Sequence, residues 1–420
     1  MTTAEPLRAG GSLWLIAYRG LTDGLAKSVM FVITIAAART LSRSDVGAMA
    51  FAMTVGWLAS VVADSGMQMH IAREAAQRPT SIGTTLARWL PLRLWSGLAC
   101  SAIAVAVIAV ESAPGFVPGA LLALAYGLSG VTEYLFHLFR GLRRTDLEST
   151  LTLVQRGALA LTALAVFTWR PTLLSLSVAF LLSSVGTLGI ALHLARTLTP
   201  PPDGAGPPQS TWREFVTSVL PIGAGVVLSA LYFRVDVFLL GLWRGADDVA
   251  AYNAVFRLVE AMRLVPAAVL AVQLPALFTS RNASLLTRLS LTLALTAAVV
   301  VAGLWPFATP LVSFVYGPAY ADAGQAFRIL LLSFPLMALN YALTSQLIGW
   351  HGHRAYAIVC GGALAVNLLL NARLIGTLGI DGAAWATLWT EAVLTVGCVA
   401  ALARVPAADG CVPAAAMEGH

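Results

Sequence analysis

Charge is scarce in this chain. Asp, Glu, Lys and Arg make up 11% of its 420 residues, whereas 58% are hydrophobic. A soluble domain keeps about a quarter of its residues charged, so this chain cannot clothe a water-facing surface of ordinary extent. Lysine is nearly missing, with Lys27 the only one. Cysteine is sparse too. Cys100, Cys360, Cys398 and Cys411 show neither CxxC nor metal-ligand spacing. Three of them fall in apolar runs, so they read as small buried hydrophobes. HExxH, GxSxG and Walker patterns are lacking, and no connection is long enough to fold as a catalytic domain. The expectation is therefore a protein that is not an enzyme, holds no metal or cofactor and does not use ATP directly. Alternation of the strand type is missing, which excludes a β-barrel.

What is present is hydrocarbon. The mean hydropathy is +0.80, and at about twenty apolar residues per span the length accommodates roughly twelve helices. The fold class expected is all-α integral membrane, because a helix satisfies its own backbone in lipid. Apolar runs place spans near 13–37, 46–66, 84–110, 117–139, 147–169 and 173–197. A second set lies near 213–241, 249–277, 285–312, 324–348, 354–375 and 379–402. Between the sets runs TPPPDGAGPPQST, Thr199 to Thr211, whose prolines and glycines cannot continue a helix. The expected domains are a six-helix bundle over 1–198, a linker over 199–211, a second six-helix bundle over 212–403 and a disordered tail over 404–420.

The net charge of +6 reads as a positive-inside bias rather than a nucleic-acid surface. With the N-terminus inside, Arg8, Arg73, Arg78, Arg140, Arg143, Arg144, Arg196, Arg213, Arg281, Arg354 and Arg404 fall on the cytoplasmic side. Arg39, Arg43, Arg170, Arg244 and Arg373 fall outside. Both termini and the linker are thus expected in the cytoplasm. The polar Met1–Gly10 stretch does not read as a signal peptide. A weak repeat agrees with the linker: Asp45-Val46-Gly47-Ala48 opens the second span, and Asp248-Val249-Ala250-Ala251 opens the eighth. Repeats of this kind occur in transporters.

Ionisable residues at membrane depth are the informative ones, each costing roughly 2.5–3.5 kcal/mol on insertion scales. Arg19, Asp23 and Lys27 recur at steps of four, on one narrow face of the first helix. Either Asp23 neutralises a neighbour within the helix or the face borders a water-filled cavity; one cation stays unpaired in both cases. Arg234 and Asp236 sit on the seventh helix, and Arg257, Glu260 and Arg263 on the eighth. Their similar depths allow a buried ion-pair network, a cavity wall, or both. The remaining embedded cations are Arg88, Arg93, Arg156 and Arg328, and the remaining anions are Glu133 and Glu391. Arg88 is near enough to its helix end to snorkel. His137 reads as a hydrogen-bonded interior histidine. Asn340, Asn367 and Asn371 read as bridges between helices. Cations outnumber anions, and a cavity with that surplus attracts anions. Arginine suits phosphate in particular, since its planar fork grips two oxygens. The candidate substrate-binding cations are therefore Arg19, Lys27, Arg93, Arg156, Arg234, Arg257 and Arg263. The candidate network or coupling carboxylates are Asp23, Glu133, Asp236, Glu260 and Glu391.

Several segments resemble a known family. ARTLSRSDVGAMAFAMTVGWLASVVADSGMQMHIAREAAQ, Ala38 to Gln77, is similar to the N-terminal signature of bacterial polysaccharide flippases. These belong to the multidrug/oligosaccharidyl-lipid/polysaccharide exporter superfamily. The matching positions are Ala38, Arg39, Leu41, Asp64, Gly66, Arg73, Glu74 and Ala75. PIGAGVVLSALYFRVDVFLLG with AAYNAVFRLVEAMRLVPAAV looks like the family's seventh and eighth helices. LVSFVYGPAYADAGQAFRILLLSFPLMALNYAL through AVNLLLNARLIGTLGIDGAAWATLWTE is similar to its last four. Ser42 departs from a usual glycine, so the first outer loop is expected to turn differently. The resemblance implies two six-helix bundles forming a V around a central cavity. It also implies movement of an isoprenoid-diphosphate-linked oligosaccharide across the bacterial inner membrane. Expected partners are that lipid-linked substrate, membrane lipids, and a polysaccharide polymerase with glycosyltransferases; nucleic acid is not among them. A cation-coupled multidrug exporter of the same superfamily would want embedded acidic charge. A membrane glycan polymerase would want a sizeable outer loop, and a scaffold would not need embedded charge at all.

Overall fold

The computed structural model describes residues 9–111, 115–201, 211–264, 266, 269, 283–349 and 352–404. The tail after 404, most of the linker (202–210), Cys411 and much of the expected span 249–277 lie outside them. Among the described residues every regular element is helical. Eleven helical stretches are long and apolar enough to cross a membrane.

The first group comprises α1 (Ala9–Thr40), α2 (Arg43–Asp64), α3 (Met67–Gln77), α4 (Ile82–Glu111), α5 (Phe116–Gly141), α6 (Thr145–Trp169) and α7 (Leu173–Leu198). The second comprises α8 (Leu220–Arg244), α9 (Ala246–Met262), α10 (Ala283–Leu304), α11 (Ala308–Tyr316), α12 (Gly324–Gly349), α13 (His353–Leu378) and α14 (Ile380–Arg404). Within the first group α2, α5 and α7 form the packed centre and α1 lies along α6. In the second, α13 packs on α8 and α14, and α12 on α10 and α14. The groups meet where α2 runs along α8 and α9. Because the long helices alternate in direction, one end of the molecule carries the start of α1 and the end of α14. The other, the distal end, carries the α1–α2 turn and residues 317–323.

Helix ends follow local chemistry. Ser42 caps α2 by accepting a hydrogen bond from the Asp45 amide. At the other end Ser65 and Gly66 take positive φ, 41° and 96°, and turn the chain into α3. The Asp64 carboxylate accepts from the Gly66 and Gln68 amides there, both at 3.1 Å. The connection expected between the second and third spans is thus an amphipathic helix. It buries Met67, Ile71 and Ala75 at steps of four. A helical turn at Thr211–Glu214 widens to a π-helix over Phe215–Val219 before α8. Pro221 has no N–H to give to the preceding turn, and a π-bulge accommodates that loss. The expected span 285–312 is interrupted at Trp305–Phe307 and resumes as α11.

Candidate functional site

The embedded charges fall into distinct groups. On α8 and α9, Arg234 and Arg257 share one carboxylate. Arg234 Nη2 donates to Glu260 Oε1 at 2.6 Å, and Arg257 Nη1 donates to Glu260 Oε2 at 3.1 Å. The helix-7-to-helix-8 ion-pair network is therefore present, and it is not neutral, because two guanidiniums hold one carboxylate. Arg263 adds a third cation, 4.7 Å above the Phe233 ring, and Arg234 lies 5.0 Å from the Phe256 ring. Such contacts hold a cation by the ring quadrupole without cancelling its charge.

The first bundle presents a second group. On α1, Asp23 and Lys27 are exposed, and neither has an ion pair within 4.0 Å among the described residues. The intrahelical bridge is thus not formed. Arg19 lies 4.0 Å from Glu148. Glu148 is buried and grips Arg140 through two bonds, one from Nε at 2.6 Å and one from Nη2. Arg140 also reaches Glu133 at 3.4 Å and the Nε2 of His137 at 3.0 Å. His137 is the hydrogen-bonded interior histidine expected, its Nδ1 3.0 Å from the Glu133 carbonyl. From sequence Arg140 falls in a cytoplasmic connection, and nothing there marks Glu148 as its partner. Eight residues separate them across the α5–α6 turn, and no helical periodicity links two positions on opposite sides of a turn.

One expected cavity cation, Arg93, lies elsewhere. Arg93 is fully buried inside the first bundle, with its Nε 3.7 Å from Asp64. A side chain without exposed surface lines no solvent-filled space, so Arg93 differs from expectation. Gly97 and Gly130 make room for it: a Cβ at either would press on its guanidinium. Arg88 pairs with Glu214 at 2.5 Å, tying α4 to the chain just before α8. His70 on α3 packs against the Trp89 ring, tilted by 48° with centroids 4.4 Å apart, and stands 3.7 Å from the same carboxylate. Burial holds the His70 imidazole below its ordinary pKa.

Behind the Arg234–Glu260 pair, α8, α9, α12, α13 and α14 enclose a polar cluster. Asp236 accepts from the Val237 amide at 2.8 Å, from the Thr387 hydroxyl at 3.3 Å and from the Tyr252 hydroxyl. Glu391 accepts from the Asn340 amide at 2.7 Å. Asn367 donates to Thr390 at 3.2 Å, and Asn371 donates to the Asn367 side chain at 2.7 Å. Asn340 and Asn367 bridge helices as expected, whereas Asn371 bonds to Asn367 within its own helix. Asp236 and Glu391 are both buried, and neither has a cation within 4.0 Å among the described residues. Tyr252 and Thr387 carried no sequence signal, being ordinary apolar-face residues until the helices pack.

At the distal end the two groups are latched together. Arg43 donates two bonds to Asp322, at 3.1 and 2.7 Å, and others to the carbonyls of Ala319 (2.7 Å) and Asp247 (3.1 Å). Arg39 reaches the carbonyls of Val315, at 2.9 Å, and Phe314.

A family model described as polysaccharide biosynthesis protein matches residues 11–281. No curated protein matches the chain. Among solved structures, an inward-facing multidrug resistance MATE transporter of the MOP superfamily superposes with a TM-score of 0.71 at 16% identity. It covers 91% of this chain and 94% of its own. The lipid II flippase MurJ in an inward closed conformation gives 0.70 at 12% identity, with 92% and 89% covered. A MOP superfamily transporter from Pyrococcus furiosus, described as having a binding pocket of reverse polarity, gives 0.66 at 16%, with 93% and 95% covered. These likenesses establish the fold: an all-α arrangement shared with the MATE and MurJ structures over nearly the whole chain.

Proposed function

The chain belongs to the polysaccharide biosynthesis protein family, and on that premise we propose that it is a flippase for lipid-linked glycans. It carries an oligosaccharide joined to an isoprenoid diphosphate across the bacterial cytoplasmic membrane by alternating access. The observation that carries this reading is the Arg234–Glu260–Arg257 arrangement with Arg263 beside it. Three guanidiniums around one carboxylate leave positive charge at membrane depth, where low-dielectric walls strengthen its field. A diphosphate supplies the missing negative charge, and guanidinium forks match its oxygens. Arg19 and Lys27 on α1 face the same substrate from the first bundle. The sugar head crosses through the vault while the isoprenoid tail stays in lipid. The product serves cell-surface polysaccharide, such as lipopolysaccharide, beside a polymerase and glycosyltransferases.

The buried carboxylates Asp236 and Glu391 take the coupling role in this reading. They lie among hydroxyl and amide groups, where a proton or small cation could be held. Asp23 and Glu133 belong to the vault wall, offsetting part of its charge. Both termini and the linker face the cytoplasm, which makes the Arg39–Arg43 latch an outer one.

The test is export itself. Lys27→Ala combined with Arg234→Ala should stop glycan export and leave lipid-linked oligosaccharide in the inner leaflet. Protein level and thermal stability are measured alongside. Glu260 retains Arg257 in the double variant, so the carboxylate is not left unpaired. Normal export at normal expression would end the diphosphate-clamp reading.

A further inference from the structure

A second polar cavity lies wholly within the first bundle. It is a polar pocket between α5, α6 and α7, open in part to its surroundings. Its lining combines Tyr126, Ser129, Gln155, Arg156, Ser183 and Ser184 with an apolar wall that includes Phe180.

Which polar groups are already occupied decides what the cavity can do. Ser184 donates to the Phe180 carbonyl at 3.0 Å, Ser129 lies 3.0 Å from Ser184, and Ser183 donates to the Gln155 carbonyl at 3.1 Å. The hydroxyl protons of the serines are thus committed, and their lone pairs are open. The Gln155 amide, the Tyr126 hydroxyl and the Arg156 guanidinium make no hydrogen bond among the described residues. Arg156 Nε is buried with no partner at all. Of the residues lining the cavity, Arg156 alone is charged. The nearest carboxylate in electrostatic reach, Glu133, already contacts Arg140. A buried guanidinium nitrogen left this way is costly unless something pairs with it.

Position ties the cavity to the vault. One phenol on α5, that of Tyr126, is within electrostatic reach of a cation on each bundle, Arg156 on α6 and Arg257 on α9.

We propose that this cavity is a subsite for one carboxylate-bearing sugar of the glycan, held by Arg156, Gln155 and Tyr126 while the diphosphate rests on the opposite bundle. Arg156 pairs with the carboxylate, and Gln155 and Tyr126 with ring hydroxyls. The serine lone pairs accept from the remaining hydroxyls, and Phe180 packs against the sugar's C–H face. The inference rests on the glycan-lipid reading, but its residues and its ligand are separate from those of the diphosphate clamp.

The test uses the full chain in lipid nanodiscs, with isothermal titration calorimetry as the readout. The probes are glucuronate, glucose, glucosamine and inorganic pyrophosphate. Glucuronate should bind at least about tenfold more tightly than glucose or glucosamine, the discrimination of one charge-assisted bond. Arg156→Gln should remove that preference, and Gln155→Ala should weaken glucuronate while keeping it. Pyrophosphate should be unaffected by either and weakened by Arg234→Gln, which in turn should leave glucuronate binding intact. If Arg156→Gln does not fold, Arg156→Lys retains charge without the fork and should bind glucuronate more weakly than wild type. Equal binding of glucuronate and glucose, or no glucuronate binding, overturns the subsite. Loss of pyrophosphate binding specificity alone overturns the diphosphate reading instead.

Discussion

Removing the Arg43 side chain should open the distal end of the molecule. Arg43 is the largest single connection there, with two bonds to Asp322 and one each to the Ala319 and Asp247 carbonyls. Its guanidinium also lies 5.6 Å from the Tyr320 ring. The Asp322 side chain is 56% exposed, so water screens the ion pair and its share is at most about 1 kcal/mol. The carbonyl bonds contribute about 1 kcal/mol each. Allowing for their overlap, Arg43→Ala weakens distal closure by about 2–3 kcal/mol, and each 1.4 kcal/mol is a tenfold change in population. A closed state favoured by such a margin would become mixed. The measurement is a pulsed-EPR distance between spin labels at Arg170 and Ala321, both exposed at the distal end in opposite bundles. Arg43→Ala should add a longer-distance population, and Arg43→Lys should do so nearly as strongly, since an ammonium cannot reproduce the bidentate fork. An unchanged distribution in a folded Arg43→Ala protein would refute the latch.

Asp64→Ala should lower thermal stability by about 3–5 kcal/mol, because it leaves Arg93 buried without its partner; a melting curve unchanged from wild type would show that pair to be idle. Gly223→Ala should fail to accumulate, because a Cβ there would run into the Ser65 carbonyl and Gly66 amide where α8 meets α2. Gly189→Ala, with open space around it, serves as the tolerated control in the same expression assay. Single cysteines at Gly204 and Ser44, in a cysteine-free background, test the orientation. An impermeant thiol reagent added to intact cells should label position 44 and spare 204, and the reverse pattern would invert the topology.

The positions of the spans were legible because lipid enforces them. A segment such as Leu173–Leu198 has to be continuously apolar and has to satisfy its own backbone, and both demands are written residue by residue. Charges at membrane depth were equally plain, since each stands out against an apolar run. The link between helices 7 and 8 was also readable, because Arg234 and Glu260 lie at matching depths on helices joined by a short turn. What each charge touches belonged to tertiary structure. Arg93 and Arg156 look alike in sequence, yet helix rotation buries the first against Asp64 and turns the second into a cavity. Arg43 meets Asp322 across 279 residues, a pairing that no local spacing can encode. Burial at a given depth is a property of one segment. Partnership depends on how two segments rotate and pack, and only the folded bundles decide that.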